Sequence, residues 1–341
     1  MTIIFIYLIS IFFINLFINK YQIILSNTGL KHQSFVNDSI PLTGGIFFLL
    51  PTLYLFLPNY NFFCYIFIAL FILGLLSDLN ILNSPKKRFL LQCLLVLIFS
   101  IVSKLEVTPT KINFFDNLIQ NNYWGYIFTS FCLMILINGS NFIDGLNGLL
   151  IGYFSLIILL IFQLDLINPF NFLEIRQIYF ISVILFILGL NFFNKLFLGD
   201  SGAYSLSFLI GFLLIKTYNF NQEVSPYFII LLLWYPCFEN LFSILRKIYY
   251  KKDNPLEPDT EHLHQKLFVF CKKKFEISNL QSNVLSSLII IFFNLIIFYF
   301  ASKQISHTIY QLYLIGLAIL FYLITYIFLH KITKKNIFKK L

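Results

Sequence analysis

The chain has 341 residues, of which 59% are hydrophobic, 19% aromatic and 11% charged, with a mean hydropathy of +0.82. A soluble domain is about a quarter charged, so the composition excludes one and points to an integral membrane protein with many spans. The net charge of +9 invites a nucleic-acid partner, a reading that the placement of the basic residues answers.

A spanning helix needs about 20 mostly apolar residues. Eleven stretches approach this, at 2–19, 43–58, 62–77, 89–104, 124–138, 146–164, 177–194, 201–217, 226–245, 281–300 and 308–330. The expected fold is all-α and polytopic, with about 11 transmembrane helices in one integral-membrane domain over 1–341. Its connections fall near 20–42, 78–88, 139–146, 195–200 and 246–280, and a basic tail occupies 331–341. The first stretch lacks a basic leader and a small-residue cleavage site, so it reads as a retained span. The second is short and holds Pro51. Five scattered cysteines, with no C-x-x-C among them, imply neither a disulfide frame nor a metal site.

Eleven spans put the two ends on opposite sides. Alternate connections divide the basic residues unequally. One set holds Lys20, Lys31, Lys86, Lys87, Arg88, Lys195, the run between 246 and 274, and the tail. The other holds Lys104, Lys111, Arg176, Lys216 and Lys303. Cytoplasmic connections carry the basic excess, which places the N-terminus outside and the C-terminus inside. The positive charge then anchors span ends to an anionic leaflet, and no nucleic acid is implied.

The unexplained polar residues lie in the same basic set of connections. "LMILINGSNFIDGLNGLL" (133–150) places Asn138, Asn141 and Asp144 three residues apart, along one side of a helix end. Gly145 and Gly148 permit close approach of backbone or ligand. A helix cap and turn explain one Asn and one Gly but not the repeat. Asp78, Asp144 and Asp200 each follow an apolar run. Three carboxylates on one side read as a single site, and carboxylates hold Mg²⁺ against phosphate oxygens.

Asp200 in "FLGDSGAYS" suits an N-cap as well as a metal ligand. Its GDSG is similar to the nucleophile segment of trypsin-like proteases, but those need a double β-barrel and nothing here reads as strands. The triplet Lys86, Lys87, Arg88 follows Asp78, and most of it answers to topology. "PDTEHLHQ" offers His262 and His264 near Asp259 and Glu261, too few ligands for zinc and better suited to phosphates. "IPLTGG" (40–45) reads as tight packing. Glu239, inside the apolar "WYPCFENLF", either pairs with another span or sits at the cytoplasmic mouth.

Together these motifs resemble the polyprenyl-phosphate N-acetylhexosamine-1-phosphate transferase superfamily, glycosyltransferase family 4. The match runs in the family's order from "PLTGG" to "EHLHQ". It looks closer to the branch that starts O-antigen and common-antigen chains than to the peptidoglycan branch. The family's N-x-x-N-x-x-D-G-x-x-G-L lands on Asn138, Asn141, Asp144, Gly145, Gly148 and Leu149, and its F-[LM]-G-D-x-G places the metal ligand on Asp200. The resemblance also implies that Phe197 stacks on uracil, that Asn191 belongs to the site, and that His262, His264 and Lys86 hold phosphates. Asp78, Asp144 and Asp200 become the catalytic set. Three positions depart from the family: Ser77 stands for the first acid of an Asp-Asp pair, Asn147 for a second Asp, and Gln265 for a last histidine.

The activity so implied is transfer of N-acetylhexosamine 1-phosphate from a UDP-sugar to polyprenyl (undecaprenyl) phosphate, releasing UMP. It starts a lipid-linked cell-envelope glycan such as lipopolysaccharide or cell-wall polymer, at the bacterial inner membrane. Mg²⁺, or Mn²⁺ in its place, is the implied cofactor, and a homodimer is compatible. Asp78 is expected to position or deprotonate the lipid phosphate. A multi-span transporter of a polar or phosphorylated solute is the alternative; it would hold its polar residues near mid-membrane, often between inverted repeats.

Overall fold

A computed structural model of the chain describes residues 2–23, 40–107, 109–119, 123–251 and 261–337. Among these residues the structure is helical, without extended strands. The first six helices are α1 (Thr2–Lys20), α2 (Gly44–Phe56), α3 (Asn61–Asp78), α4 (Pro85–Val102), α5 (Asn113–Ile119) and α6 (Trp124–Ile143). Next come α7 (Leu149–Gln163), α8 (Glu174–Phe192), α9 (Gly199–Phe220), α10 (Pro226–Leu232) and α11 (Trp234–Arg246). The chain closes with α12 (Leu263–Phe275), α13 (Asn279–Ala301) and α14 (Thr308–Ile337).

All eleven apolar stretches fall on helices. Six helices (α3, α6, α8, α9, α13 and α14) are long and apolar enough to cross a membrane, and the bent pair α10–α11 makes a seventh candidate. The chain is thus an all-α, multi-pass membrane protein. Its outer helices present Phe, Ile and Leu outward, among them Phe5, Phe292, Ile309 and Phe328.

At the centre stands α9, with every residue from Gly199 to Ile215 buried. Much of the abundant phenylalanine packs around it. The Phe63 ring stacks on Phe212 at 4.4 Å and on Phe208 at 5.3 Å, with Phe99 edge-on to both. At the opposite end of α9, side chains give way to backbone contact. A Cβ on Gly45 of α2 would lie 2.5 Å from Gly202 N, and one on Gly74 of α3 would strike Ser201. These glycines let α2 and α3 press against the first turn of α9. The PLTGG segment is indeed packing: Gly44 N and Gly45 N donate to Phe197 O and Leu198 O, while Phe197 N donates to Pro41 O at 2.8 Å.

Three expectations need correction. The single span over 226–245 is broken, bending by 71° between α10 and α11. Pro236 is the cause, because it has no N–H for the carbonyl of Leu232 four residues earlier. That carbonyl instead accepts the Tyr153 hydroxyl at 2.8 Å. The connection expected over 139–146 is mostly helix, since α6 runs on to Ile143. The connection over 246–280 contains α12. The parts of the expected connections at 24–39 and 252–260, with Lys31 and Asp259, and the last four residues lie outside the described residues.

Candidate active site

The C-terminal ends of α3, α6 and α8 meet the N-terminal end of α9, and each brings polar residues. Asp78 is the last residue of α3. Its Oδ1 accepts the Asp200 N–H at 2.8 Å and its Oδ2 the Ser201 N–H at 3.0 Å. Asp78 therefore caps α9 from a neighbouring helix, satisfying two of the N–H groups that any helix start leaves unpaired. Gly199, at φ +76°, makes the turn into α9, and a Cβ there would lie 2.7 Å from Asp78 Oδ2.

Asp200 is buried, and its Oδ2 gathers partners. Ser77 Oγ donates at 2.5 Å, Arg88 Nη1 at 2.7 Å and Tyr204 OH at 3.4 Å. Arg88 also bonds Ser77. Ser77 thus places a neutral donor against Asp200 where the resemblance puts a further carboxylate. The structure selects Arg88 from the basic triplet as the residue that reaches the acids, while Lys86 and Lys87 are exposed.

Asp144 caps the C-terminal end of α6. Part of its surface is accessible, but burial of the carboxyl and the charges of Asp200 and Asp78 push it well above the usual carboxylate range. The three acids therefore share one electrostatic neighbourhood. Asp144 also lines one small pocket with Asn147, Asn191, Phe197 and Asn283.

Asn191 spans that pocket, accepting from Gly148 N and donating to Leu196 O at 2.8 Å. Both ends of its amide hold backbone, so it ties the 144–148 turn to the loop that carries Phe197 and Asp200. Asn147 also braces this region, since its N–H donates to Asn283 Oδ1 at 2.6 Å and its side-chain amide donates to Asn194. An amide here supplies a donor that the expected carboxylate lacks. Asn141 lies on the last turn of α6, whereas the Asn138 amide turns back to Met134 O at 2.8 Å within the helix.

The histidines form a second group. Phe142 stacks on His262 at 5.3 Å, and His262 stacks on His264 at 5.5 Å with the rings 9° from parallel. Phe142 lies between Asn141 and Asp144, so the histidine motif abuts the α6 end. Lys247 Nζ lies 6.0 Å over the same Phe142 ring. Gln265 Oε1 accepts the His262 N–H at 3.1 Å, closing the first turn of α12. Its departure from histidine is accounted for as a helix cap.

The sequence alone did not show how α11 faces. Glu239, Asn240, Ser243 and Arg246 are buried, while Leu241 and Leu245 face outward. The helix points its polar stripe inward, and that stripe at helical spacing was its visible signal. Gly139 of α6 lets the two helices touch, since a Cβ there would strike Pro236 O.

Among the described residues no three His, Cys, Asp or Glu gather closely enough to cage a metal by themselves. Mg²⁺ needs no such cage, being held by one or two carboxylates together with substrate phosphates and water. A buried Asp200 that already attracts a guanidinium and two hydroxyls, and whose charge reaches Asp144, fits that requirement.

Residues 60–218 match glycosyl transferase family 4. An undecaprenyl-phosphate alpha-N-acetylglucosaminyl 1-phosphate transferase of Thermotoga maritima is 31% identical over 239 residues, 69% of this chain and 69% of that protein. The chain belongs to glycosyl transferase family 4. Its similarity to a probable undecaprenyl-phosphate N-acetylglucosaminyl 1-phosphate transferase of Bacillus subtilis is 31% over 58% of this chain and 55% of the relative. Similarity to a phospho-N-acetylmuramoyl-pentapeptide-transferase of Prochlorococcus marinus is 28% over 56% of the chain and 57% of that protein. The chain thus spans between 55% and 69% of the length of these relatives. The matched 60–218 region carries Asp78, Asp144 and Asp200 but ends before the histidine motif.

Proposed function

We propose that the protein transfers N-acetylhexosamine 1-phosphate from a UDP-sugar to polyprenyl phosphate and releases UMP. The reaction would start a lipid-linked cell-envelope glycan at the cytoplasmic face of a bacterial inner membrane. The observation that carries this reading is the convergence of Asp78, Asp144 and Asp200, from three different helices, with Arg88 at one end of the bundle. A transporter would hold its polar groups near mid-membrane instead. The relatives' names support the reaction class. The basic connections support a cytoplasmic site, an outer N-terminus and eleven crossings.

In the reaction, an oxygen of the lipid phosphate attacks the sugar-bearing phosphorus of the donor. The bond from that phosphorus to the bridging oxygen breaks, and UMP leaves with that oxygen. Such transfers depend on charge neutralisation and in-line placement. A phosphate monoester has a second pKa near 6, so the nucleophile needs little deprotonation at neutral pH. Mg²⁺ held by Asp200 would supply charge neutralisation at the donor diphosphate.

The chain's own residues set the geometry. Asp78 fixes the first turn of α9 and with it Asp200. Asn191 holds the turn after Asp144 against the loop bearing Phe197, which lines the same small pocket and would meet the nucleotide base. Arg88 offers its guanidinium to phosphate oxygens beside Asp200. His262 and Lys247 pack on Phe142 and His264 stacks on His262, a group that would hold a second phosphate.

The test is UMP release by the full chain in vesicles containing polyprenyl phosphate, with defined UDP-sugars and with or without Mg²⁺. UDP-N-acetylglucosamine is the first donor to try, given the named relatives. Mg²⁺-dependent release that needs both substrates is the expected result. Passage of a UDP-sugar across the vesicle membrane without UMP release would overturn the proposal.

A further inference from the structure

Glu239 has no part in the acid cluster, yet it is 1% exposed inside an apolar helix. A buried carboxylate needs partners, and it has three. His262 Nδ1 lies 2.9 Å from its Oε1, and the Leu263 N–H donates to the same oxygen at 3.4 Å. The Tyr322 hydroxyl donates to Oε2 at 2.8 Å. The group therefore joins α11, the start of α12 and α14. The Leu263 N–H and the Tyr322 hydroxyl both donate to this carboxyl, so it serves as an acceptor, and a proton on His262 Nδ1 would complete the set.

Phe142 and His264 both stack on the His262 ring. Stacking restricts the tilt of an imidazole but does not decide which nitrogen points which way. A hydrogen bond to one nitrogen does. We propose that Glu239 is the positioning residue of the histidine motif: clamped by Tyr322, it fixes the orientation and tautomer of His262, so that any phosphate this ring holds is held through Nε2. The polar face of α11 and the burial of Tyr322 in the middle of an apolar α14 then have a common purpose. The inference rests on the proposed transferase reaction for its effect on turnover, and on geometry alone for the tautomer.

The test uses the full chain in lipid nanodiscs, labelled with ¹⁵N-histidine, with the His262 signal assigned by its loss in His262→Asn. Wild type is expected to show a protonated Nδ1. Glu239→Ala is expected to lose that signature and to lower kcat for UMP release by about 10- to 100-fold, the scale known for the orienting partners of metal-bound histidines. KM for the UDP-sugar should change less than kcat. Glu239→Gln, whose carbonyl accepts the same proton, should restore the signature and most of kcat. Tyr322→Phe removes a hydroxyl and little bulk, so it serves if Glu239→Ala does not fold; it should broaden the His262 signal and lower kcat by less than Glu239→Ala does. An unchanged signature in both Glu239→Ala and Tyr322→Phe, or a lost signature with wild-type turnover, would overturn the assignment. Absence of UMP release by wild type would remove the transferase reading while leaving the ¹⁵N result to decide the role of Glu239.

Discussion

Asp78 holds Asp200 through the backbone: the carboxylate that ends α3 accepts the main-chain N–H of Asp200 itself, at 2.8 Å, and that of Ser201 at 3.0 Å. The family resemblance casts Asp78 as a residue acting on the lipid phosphate. The geometry adds a structural role: the cap fixes the first turn of α9, while Ser77, Arg88 and Tyr204 hold the Asp200 side chain.

Asp78→Asn separates the two roles. An amide has one acceptor oxygen, so its NH₂ would face a main-chain N–H. The expected cost is about 1–2 kcal/mol of stability, in the range of a lost helix cap, read as a lower thermal midpoint of the purified protein. UMP release should fall as well. A variant with lost turnover and a wild-type midpoint would show that Asp78 acts on substrate alone.

Gly199→Ala strains the same junction from the other side. It forces an alanine to φ +76° and places a Cβ 2.7 Å from Asp78 Oδ2. The left-handed backbone alone costs about 1–2 kcal/mol, and displacement of the cap adds to it. In an Asp78→Ala background the second part disappears, so the two substitutions should be less than additive. Thermal or denaturant unfolding of the four proteins in the cycle measures this, and strict additivity would mean that the two sites are independent.

The acids, the amide repeat and the histidines stood out as polar residues where hydropathy predicts none, whereas Phe197, between two leucines, was singled out only by the family resemblance. The partners of these residues were not legible. That Arg88 rather than Lys86 turns toward Asp200 depends on where α4 starts, and Ser84, whose side chain accepts from Lys87 N, sets that start. The identity of Glu239's partners depends on α14, distant in sequence. The break at Leu233 had a visible signal in Pro236, but hydropathy averages over a single proline. Helix α6 outruns its apolar stretch because backbone bonds, not side-chain polarity, sustain a helix, and its last turn enters the polar site instead of lipid.

Asp200 and Arg88 form a mostly buried ion pair, with side chains 8% and 15% exposed. Asp200→Asn keeps the shape and removes the charge. UMP release is expected to fall by at least about 10²–10³-fold, the scale for losing one preorganised electrostatic contact. Arg88→Met should destabilise the protein, since removing one partner of a buried pair costs about 3–5 kcal/mol, and Arg88→Lys should recover stability better than activity because it lacks the forked donors. Near-normal turnover in Asp200→Asn would take that residue out of the site.

The bend between α10 and α11 makes a prediction independent of catalysis. Pro236 leaves the Leu232 carbonyl without a helical donor, and Tyr153, itself buried, supplies one at 2.8 Å. Tyr153→Phe keeps the ring in place and leaves that carbonyl buried and unpaired. The penalty for such a group is about 1–3 kcal/mol, visible as a lower thermal midpoint in detergent. Pro236→Ala restores an N–H within reach of Leu232, so in the Tyr153→Phe background it should regain part of the loss, whereas in wild type it has an already satisfied carbonyl to compete for. Equal effects of Pro236→Ala in the two backgrounds would show that the Tyr153 hydroxyl is not what holds the break together.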